Sequence, residues 1–215
     1  MSKINHHLTD EMLLSYSAGS LAEAFSLVVA THVSMCDECR ARLDAFDAVG
    51  GSVLNDCGEA VVGADSLDAT LARITAGEDR LPARKTKADA VFPAPLAEYV
   101  DGDLDAVKWT RVGGGVRQAI LPTSKGATVR LLHIPAGTAV PDHGHNGAEM
   151  TLVLKGAFRD EFDRFGPGDV EVANEDLHHT PVAEEGEDCI CLAATDAPLR
   201  FNAILPRIAQ RFVRI

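Results

Sequence analysis

Long apolar runs are missing from the sequence. No stretch approaches the roughly 20 apolar residues that a membrane-spanning helix needs, and residues 1–7, MSKINHH, have no apolar core behind their single lysine. A secretion signal and a membrane span are therefore both disfavoured. We expect a cytoplasmic protein that contacts no membrane.

Positive charge is also scarce. The chain has 20 lysine and arginine residues against 32 aspartate and glutamate residues, which gives a net charge of −12. Binding to a phosphate backbone depends on lysine and arginine, because these residues displace the counterions of the nucleic acid. We therefore expect no direct contact with nucleic acid, and the acidic surface instead suits a basic protein partner.

The first third of the chain has the pattern of helices. Thr9 is a good N-cap for a first helix, and Gly19 is a natural stop for it. Ser20 and Glu23 have the spacing of a capping box at the start of a second helix. The apolar positions of that helix repeat every three or four residues and lead to a histidine: Leu21, Ala24, Phe25, Val28, Val29 and His32.

Two further helices are expected downstream. The third begins at Asp37 and runs through Phe46, and the pair Gly50-Gly51 is expected to interrupt or end it. A fourth, shorter helix is marked by three apolar residues at helical spacing: Leu67, Leu71 and Ile74.

The rest of the chain has the pattern of a linker followed by strands. Prolines and basic residues without any period occur between residues 77 and 95, which is typical of a linker. Short β-type runs then alternate with turn signals, for example at 118–121, 128–134, 150–154 and 189–193. Such strands predict an antiparallel sandwich or barrel.

A two-domain fold follows from these patterns. The chain has 215 residues, 46% of them hydrophobic, which is enough for two modest cores. We expect a small all-α domain over 1–85, a linker over 86–95 and an all-β domain over 96–215.

The helical part carries a metal-ligand pattern. Five cysteines in a chain without a secretion signal favour reduced thiols. Cys36 and Cys39 are separated by two residues, and His32 lies one helical turn before Cys36, so three donors converge. Thiolates and imidazoles suit tetrahedral Zn²⁺, and the fourth ligand has two candidates, His6 and His7. A thioredoxin-like dithiol is the alternative, but it usually occurs in a βαβ context.

The β part carries a second pattern. Gly137-x5-His143-x-His145-x3-Glu149-x6-Gly156 reproduces the first cupin motif with both flanking glycines. His143 and His145 are two residues apart, so on a strand both side chains point to one face, and Glu149 follows at an even offset. These donors suit Zn²⁺ or another divalent metal.

A third histidine from a partner strand would complete this site. Pro167-Gly-Asp169 followed by His178-His179 resembles the second cupin motif, although the gap is longer than in the compact form. Neighbours on a strand face opposite ways, so only one of the two histidines can enter the barrel.

The remaining cysteines have weaker patterns. Cys189 and Cys191 share one strand face, but residues two apart on an extended strand do not easily meet disulfide geometry. We expect both to be small buried core residues. Cys57 stands alone.

The helical pattern resembles the zinc-binding anti-sigma family. The segment 26–40, SLVVATHVSMCDECR, and the two-domain layout look like the ChrR type, over nearly the whole chain. The resemblance implies that His7 is the fourth Zn²⁺ ligand and that His179 is the third cupin histidine. It also implies that the helical domain clamps an extracytoplasmic-function sigma factor and covers its polymerase-binding surface. By the same resemblance, the cupin is required for release under singlet oxygen or related oxidants.

These observations together predict a regulator and not an enzyme. The expected ligands are His7, His32, Cys36 and Cys39 for a structural Zn²⁺, and His143, His145, Glu149 and His179 for Zn²⁺ or another divalent metal. The alternative is a metal-dependent cupin enzyme, such as a dioxygenase, with an N-terminal zinc module, because three histidines and one carboxylate leave open positions at an octahedral metal. A zinc-finger DNA binder is disfavoured by the acidic charge.

Overall fold

Helices come first in the chain and strands follow. The computed structural model describes residues 3–77, 90–175 and 177–201. The helices are α1 (Asp10–Ser17), α2 (Glu23–Met35), α3 (Asp37–Asn55), α4 (Ser66–Ala76) and α5 (Ala94–Val100). The strands are β1 (Thr110–Gly113), β2 (Val116–Leu121), β3 (Thr128–Ile134), β4 (His143–Gly144), β5 (Glu149–Lys155), β6 (Phe158–Arg159), β7 (Arg164–Phe165), β8 (Val170–Ala173), β9 (His178–His179), β10 (Val182–Ala183), β11 (Cys189–Thr195) and β12 (Arg200–Phe201). No helix in these ranges is long and apolar enough to cross a bilayer.

The strands form antiparallel sheets, as predicted for the second half of the chain. The largest has the order β1-β2-β3-β11-β5-β8, and two smaller sheets have the orders β10-β6-β7 and β12-β4-β9. The central strands β5 and β11 are buried along almost their whole length. Their continuous apolar runs, in place of an alternating pattern, reflect burial on both faces.

Helix α2 covers one face of the large sheet. Val28 and Val29 of α2 belong to the same buried cluster as Leu152 of β5, Leu192 of β11 and Leu96 of α5. The opposite face of the sheet packs against the small sheet β10-β6-β7 and forms a second cluster. The helical and β parts therefore share a hydrophobic core.

The starts of the first two helices differ in how well the sequence predicts them. The Thr9 hydroxyl accepts a hydrogen bond from the Met12 N–H, 3.3 Å, which confirms Thr9 as the N-cap of α1. The predicted capping box of Ser20 and Glu23 is wrong. Ala22 is the N-cap of α2, and its methyl side chain cannot accept a hydrogen bond. The Glu23 carboxylate instead accepts hydrogen bonds from the Tyr99 hydroxyl and the Ser124 N–H.

Helix α3 continues where the sequence predicts a break. It runs from Asp37 to Asn55 and passes through Gly50 and Gly51 without interruption. A glycine in a helix costs about 1 kcal/mol relative to alanine, which weakens a helix but does not end it. The prediction of a break at this pair is therefore wrong.

The predicted linker is described from residue 90 onward, and there the chain is packed. The Phe92 side chain is buried. The N–H groups of Val91 and Phe92 donate to the Asp103 carboxylate, at 3.1 and 3.0 Å. Residues 78–89, which carry all four basic residues found between residues 77 and 95, lie outside the described ranges.

Candidate metal centres

The junction of α2 and α3 brings four predicted ligands together. His32 lies on the last turn of α2, and Cys36 both ends α2 and caps α3, where its sulfur accepts from the Cys39 N–H. The Nδ1 atom of His7 lies 3.3 Å from the Cys36 sulfur and 3.7 Å from the Cys39 sulfur. One donor atom from each of the four residues lies within 4.8 Å of the others. Ligands of a tetrahedral Zn²⁺ are separated by about 3.5 Å, so the spacing fits.

The orientation of His32 favours a cation in this cluster. Its Nδ1–H donates to the Gly168 carbonyl, 2.9 Å, and its buried Nε2 has no hydrogen-bond partner in the described parts of the chain. The carbonyl can only accept, so Nε2 carries the lone pair that a metal needs. Burial lowers the pKa of His32 to about 4, which keeps the ring neutral.

The second cysteine of the cluster supports the same conclusion. Burial raises the pKa of the Cys39 thiol to about 11, so the protein alone disfavours the thiolate there. A bound cation reverses this balance, since a coordinating thiol loses its proton. The two thiols and two imidazoles are thus a donor set suited to Zn²⁺.

His6, the other candidate for the fourth ligand, points elsewhere. Its ring packs against Phe165, with 4.4 Å between centroids, and its Nε2 lies 2.9 Å from the Asp163 carboxylate. The structure therefore places His7 in the cluster and His6 against the β part.

The small sheet β12-β4-β9 brings the cupin histidines together. His143 on β4 is paired directly with His179 on β9. The donor atoms of His143, His145 and His179 lie within 4.8 Å of one another, and all three side chains are buried. The exposed His178 points outward and covers Gly144. The alternation along β9 thus brings His179 into the site and leaves His178 outside it.

Hydrogen bonds orient two of these three rings. His143 Nδ1 donates to the Pro141 carbonyl, 2.9 Å, which leaves Nε2 to face the cluster. His179 Nδ1 lies 3.0 Å from Asp160 and 3.1 Å from Glu171. As far as the described residues go, His179 Nε2 and both nitrogens of His145 are buried without a hydrogen-bond partner. These nitrogens can serve a divalent cation.

Glu149 lies next to this group and not inside it. Its carboxylate is 3.6 Å from His145 Nδ1 and accepts a hydrogen bond from the Thr151 hydroxyl, 3.1 Å. Burial raises the pKa of Glu149, but the contacts with His145 and His143 outweigh it, so the pKa lies below its ordinary value. The charged form of the carboxylate is the one that could join the three imidazoles.

Two acidic residues of the site are missing from the sequence prediction. Asp160 and Glu171 are buried beside His179, and the three residues form a further group of possible ligands. Burial lowers the pKa of His179, but the carboxylates of Glu171 and Asp160 reverse this and raise it to about 9. An acidic residue inside the apolar run of β8, VEVA, is the signal in the sequence that points to Glu171.

The two cysteines of β11 line the inner core, as predicted. Cys189 and Cys191 are buried, and their sulfurs lie 3.4 Å apart. Both belong to the cluster between the sheets, together with Val153, Phe158 and Phe165.

Comparison with known proteins decides the family. Residues 98–198 match the family described as the ChrR cupin-like domain. The anti-sigma-E factor ChrR of Cereibacter sphaeroides is 59% identical over 212 residues, which is 99% of this chain and 99% of that protein. The chain belongs to the ChrR family of anti-sigma factors.

A solved structure of a ChrR protein has the same architecture. It is the crystal structure of Rhodobacter sphaeroides SigE in complex with the anti-sigma ChrR, and the match has a TM-score of 0.80 at 57% identity. The match covers 90% of this chain and 100% of that chain. The ChrR fold therefore spans both the helical and the β part described above.

Proposed function

We propose that this protein is a zinc-dependent anti-sigma factor. It sequesters an extracytoplasmic-function sigma factor from RNA polymerase and releases it in response to singlet oxygen or related oxidants, and its cupin domain is needed for the response. The likeness to ChrR in the SigE complex, over 90% of this chain, is the observation that carries the proposal. Because the target is a polymerase subunit, the protein acts in the cytoplasm.

An exposed apolar surface supports a protein partner. The large hydrophobic side chains left exposed in the second half of α3, in the following loop and on α4 are Val49, Val53, Leu54, Val61, Val62, Leu67, Leu71 and Ile74. No residue of α4 is buried by the part of the chain that the structure describes. So many large apolar side chains exposed over residues 49–74 indicate an interaction site. We refer to these eight residues as the apolar helical surface.

The proposed Zn²⁺ supports the helical domain. His7, His32, Cys36 and Cys39 would hold it, so that the metal joins the segment before α1 to both α2 and α3. Structural zinc contributes about 10–16 kcal/mol in zinc-finger peptides, comparable to the whole stability of a small domain. The site therefore gives the helices a fixed arrangement for the partner.

The proposed cupin metal has a different role. His143, His145 and His179, with Glu149 beside them, would hold a divalent cation, which supplies a Lewis-acidic or redox-active centre when bound. Asp160 and Glu171 orient His179 toward it. We propose that this centre serves as a sensor and not as a catalyst.

Substitutions on the apolar helical surface test the binding. We expect Leu71→Asp to weaken sigma binding at least about tenfold, because a charge would enter an apolar contact. Ala69→Asp is the matched control: it lies on the opposite side of α4 and is also exposed, so binding should persist. Affinity is measured by calorimetry with the sigma factor that co-purifies with the chain. Equal affinities for the two variants, or no sigma factor in the purification, would refute the proposal.

A further inference from the structure

The cupin contacts one candidate ligand of the helical zinc site and the backbone just before another. The Gly168 carbonyl accepts the hydrogen bond of His32 Nδ1–H, 2.9 Å. The neighbouring Asp169 carboxylate accepts from the N–H groups of Asn5, 2.6 Å, and His6, 2.9 Å, just before His7. The turn between β7 and β8, more than 130 residues away in sequence, thus orients the ligand His32 directly and holds the backbone just before the ligand His7.

This turn is itself firmly fixed. Gly168 has a φ of +93°, and a Cβ there would overlap the Ile4 side chain. The backbone of Gly168 and Asp169 is hydrogen-bonded to Val153 of β5, at 2.9 and 3.0 Å. The second carboxylate oxygen of Asp169 accepts from the Gly166 N–H, 2.8 Å. A turn that is tied to the central sheet has little freedom to move independently of it.

The same segment continues to the cupin site. Two residues after Asp169, the buried Glu171 of β8 contacts His179 Nδ1, 3.1 Å. Residues 168–171 therefore contact a candidate ligand of each metal site, His32 at one end and His179 at the other.

We propose that residues 168–171 form the outer ligand shell of the helical zinc site and couple it to the cupin metal site. Partners that orient a metal-bound imidazole strongly affect metal affinity. A segment that contacts ligands of both sites allows each metal to influence the other, and such coupling is reciprocal. The inference rests on the proposed occupancy of both sites.

Cobalt(II) substitution of the full-length protein tests the outer shell. Only the helical site has cysteine ligands, so only this site gives a thiolate-to-cobalt charge-transfer band. We expect Asp169→Ala to accelerate the loss of this band to a chelator about 10- to 100-fold, and to increase amide hydrogen exchange at Asn5 and His6. Asp163→Ala is the matched control, because it removes the contact with the His6 ring and a hydrogen bond from the Arg164 N–H but leaves the Asp169 contacts with Asn5 and His6 in place.

The outcomes separate this inference from the proposed function. If the wild-type protein gives no charge-transfer band, the proposed helical zinc site itself is wrong. If the band is present and Asp169→Ala releases cobalt at the wild-type rate, the outer-shell assignment is overturned. Asp169→Asn keeps the shape of the side chain and one acceptor oxygen, so it should give an intermediate rate even if the alanine variant folds poorly.

A second substitution tests the coupling. His145→Ala removes a cupin ligand that lies outside residues 168–171. We expect it to accelerate cobalt loss from the cysteine site in the wild-type background and to have no further effect in the Asp169→Ala background. The same fold-change in both backgrounds would show that residues 168–171 do not couple the two metal sites.

Discussion

At the scale of single residues, the hydrogen bond made by one ring nitrogen of a histidine determines whether the other nitrogen is available to a metal. His32 and His143 both donate Nδ1–H to a backbone carbonyl, and each thereby turns Nε2 toward its cluster. His179 has carboxylates in place of a carbonyl, which favours a proton on Nδ1. His178, one residue away, lacks such partners among the described residues and faces solvent. Adjacent histidines therefore have different roles because their neighbours differ.

The pair His178 and His179 gives a direct test of the cupin site. We expect His179→Ala to reduce metal affinity there by more than the ~10–100-fold typical of a lost outer partner, because a ligand itself is removed. His178→Ala should retain the metal, since that ring lies outside the cluster. Metal content after dialysis of both purified variants provides the measurement. If His178→Ala lost the metal and His179→Ala kept it, His178 and not His179 would be the ligand.

At the scale of helices and strands, the effect of a glycine depends on its backbone conformation. Helix α3 passes through Gly50 and Gly51, and no described residue comes within 4 Å of a Cβ built at either position. At Gly77 the backbone has a φ of +69° and ends α4. The first two glycines only weaken a helix, whereas the third has a conformation that other residues rarely adopt.

These glycines give opposite stability predictions. Gly50→Ala and Gly51→Ala should each stabilise the chain by about 0.5–1 kcal/mol, because alanine favours the helix and meets no neighbour. Gly77→Ala should destabilise α4, because of its left-handed conformation. Chemical denaturation followed by helical circular dichroism measures both effects. A loss of stability in the first two variants would mean that α3 is not continuous in solution.

Spacing in the sequence is enough to predict that helices precede strands and that neighbouring donors form pairs, whereas the choice of His7 and His179 rests on the family resemblance. Cys36 and Cys39 lie at a helix junction, and His143 and His145 lie two residues apart, so local geometry alone brings each pair together. Asp160, Glu171 and Asp169 could not be assigned in this way. Their contacts depend on how distant segments pack, as between Asp169 and His6. The spacing of residues along the sequence does not predict that packing.

At the scale of the whole molecule, the helical and β parts form one continuous structure. Helix α2 packs on β5 and β11, and Glu23 at its start is bonded to Tyr99 and Ser124. The segment before α1 reaches back to the turn at Asp169. A change at the cupin site therefore has physical routes to the helices.

At the scale of the whole molecule, the prediction concerns the proposed release of the sigma factor by oxidants. We expect His143→Ala to retain sigma binding, because the apolar helical surface is unchanged, and to release the sigma factor several-fold less under singlet oxygen. Release is measured by sigma-dependent transcription in vitro with purified polymerase. A normal response would refute the sensing role, and turnover of a small organic substrate that requires His143 and His145 would identify an enzyme instead.

The apolar helical surface also affects how the protein behaves without its partner. Eight large hydrophobic side chains in contact with water favour self-association and capture by chaperones or proteases, while a bound partner would shield them. The free protein is thus expected to be the short-lived form. Under the proposed release mechanism, the ratio in which a cell makes this chain and its partner then determines how much of this chain survives.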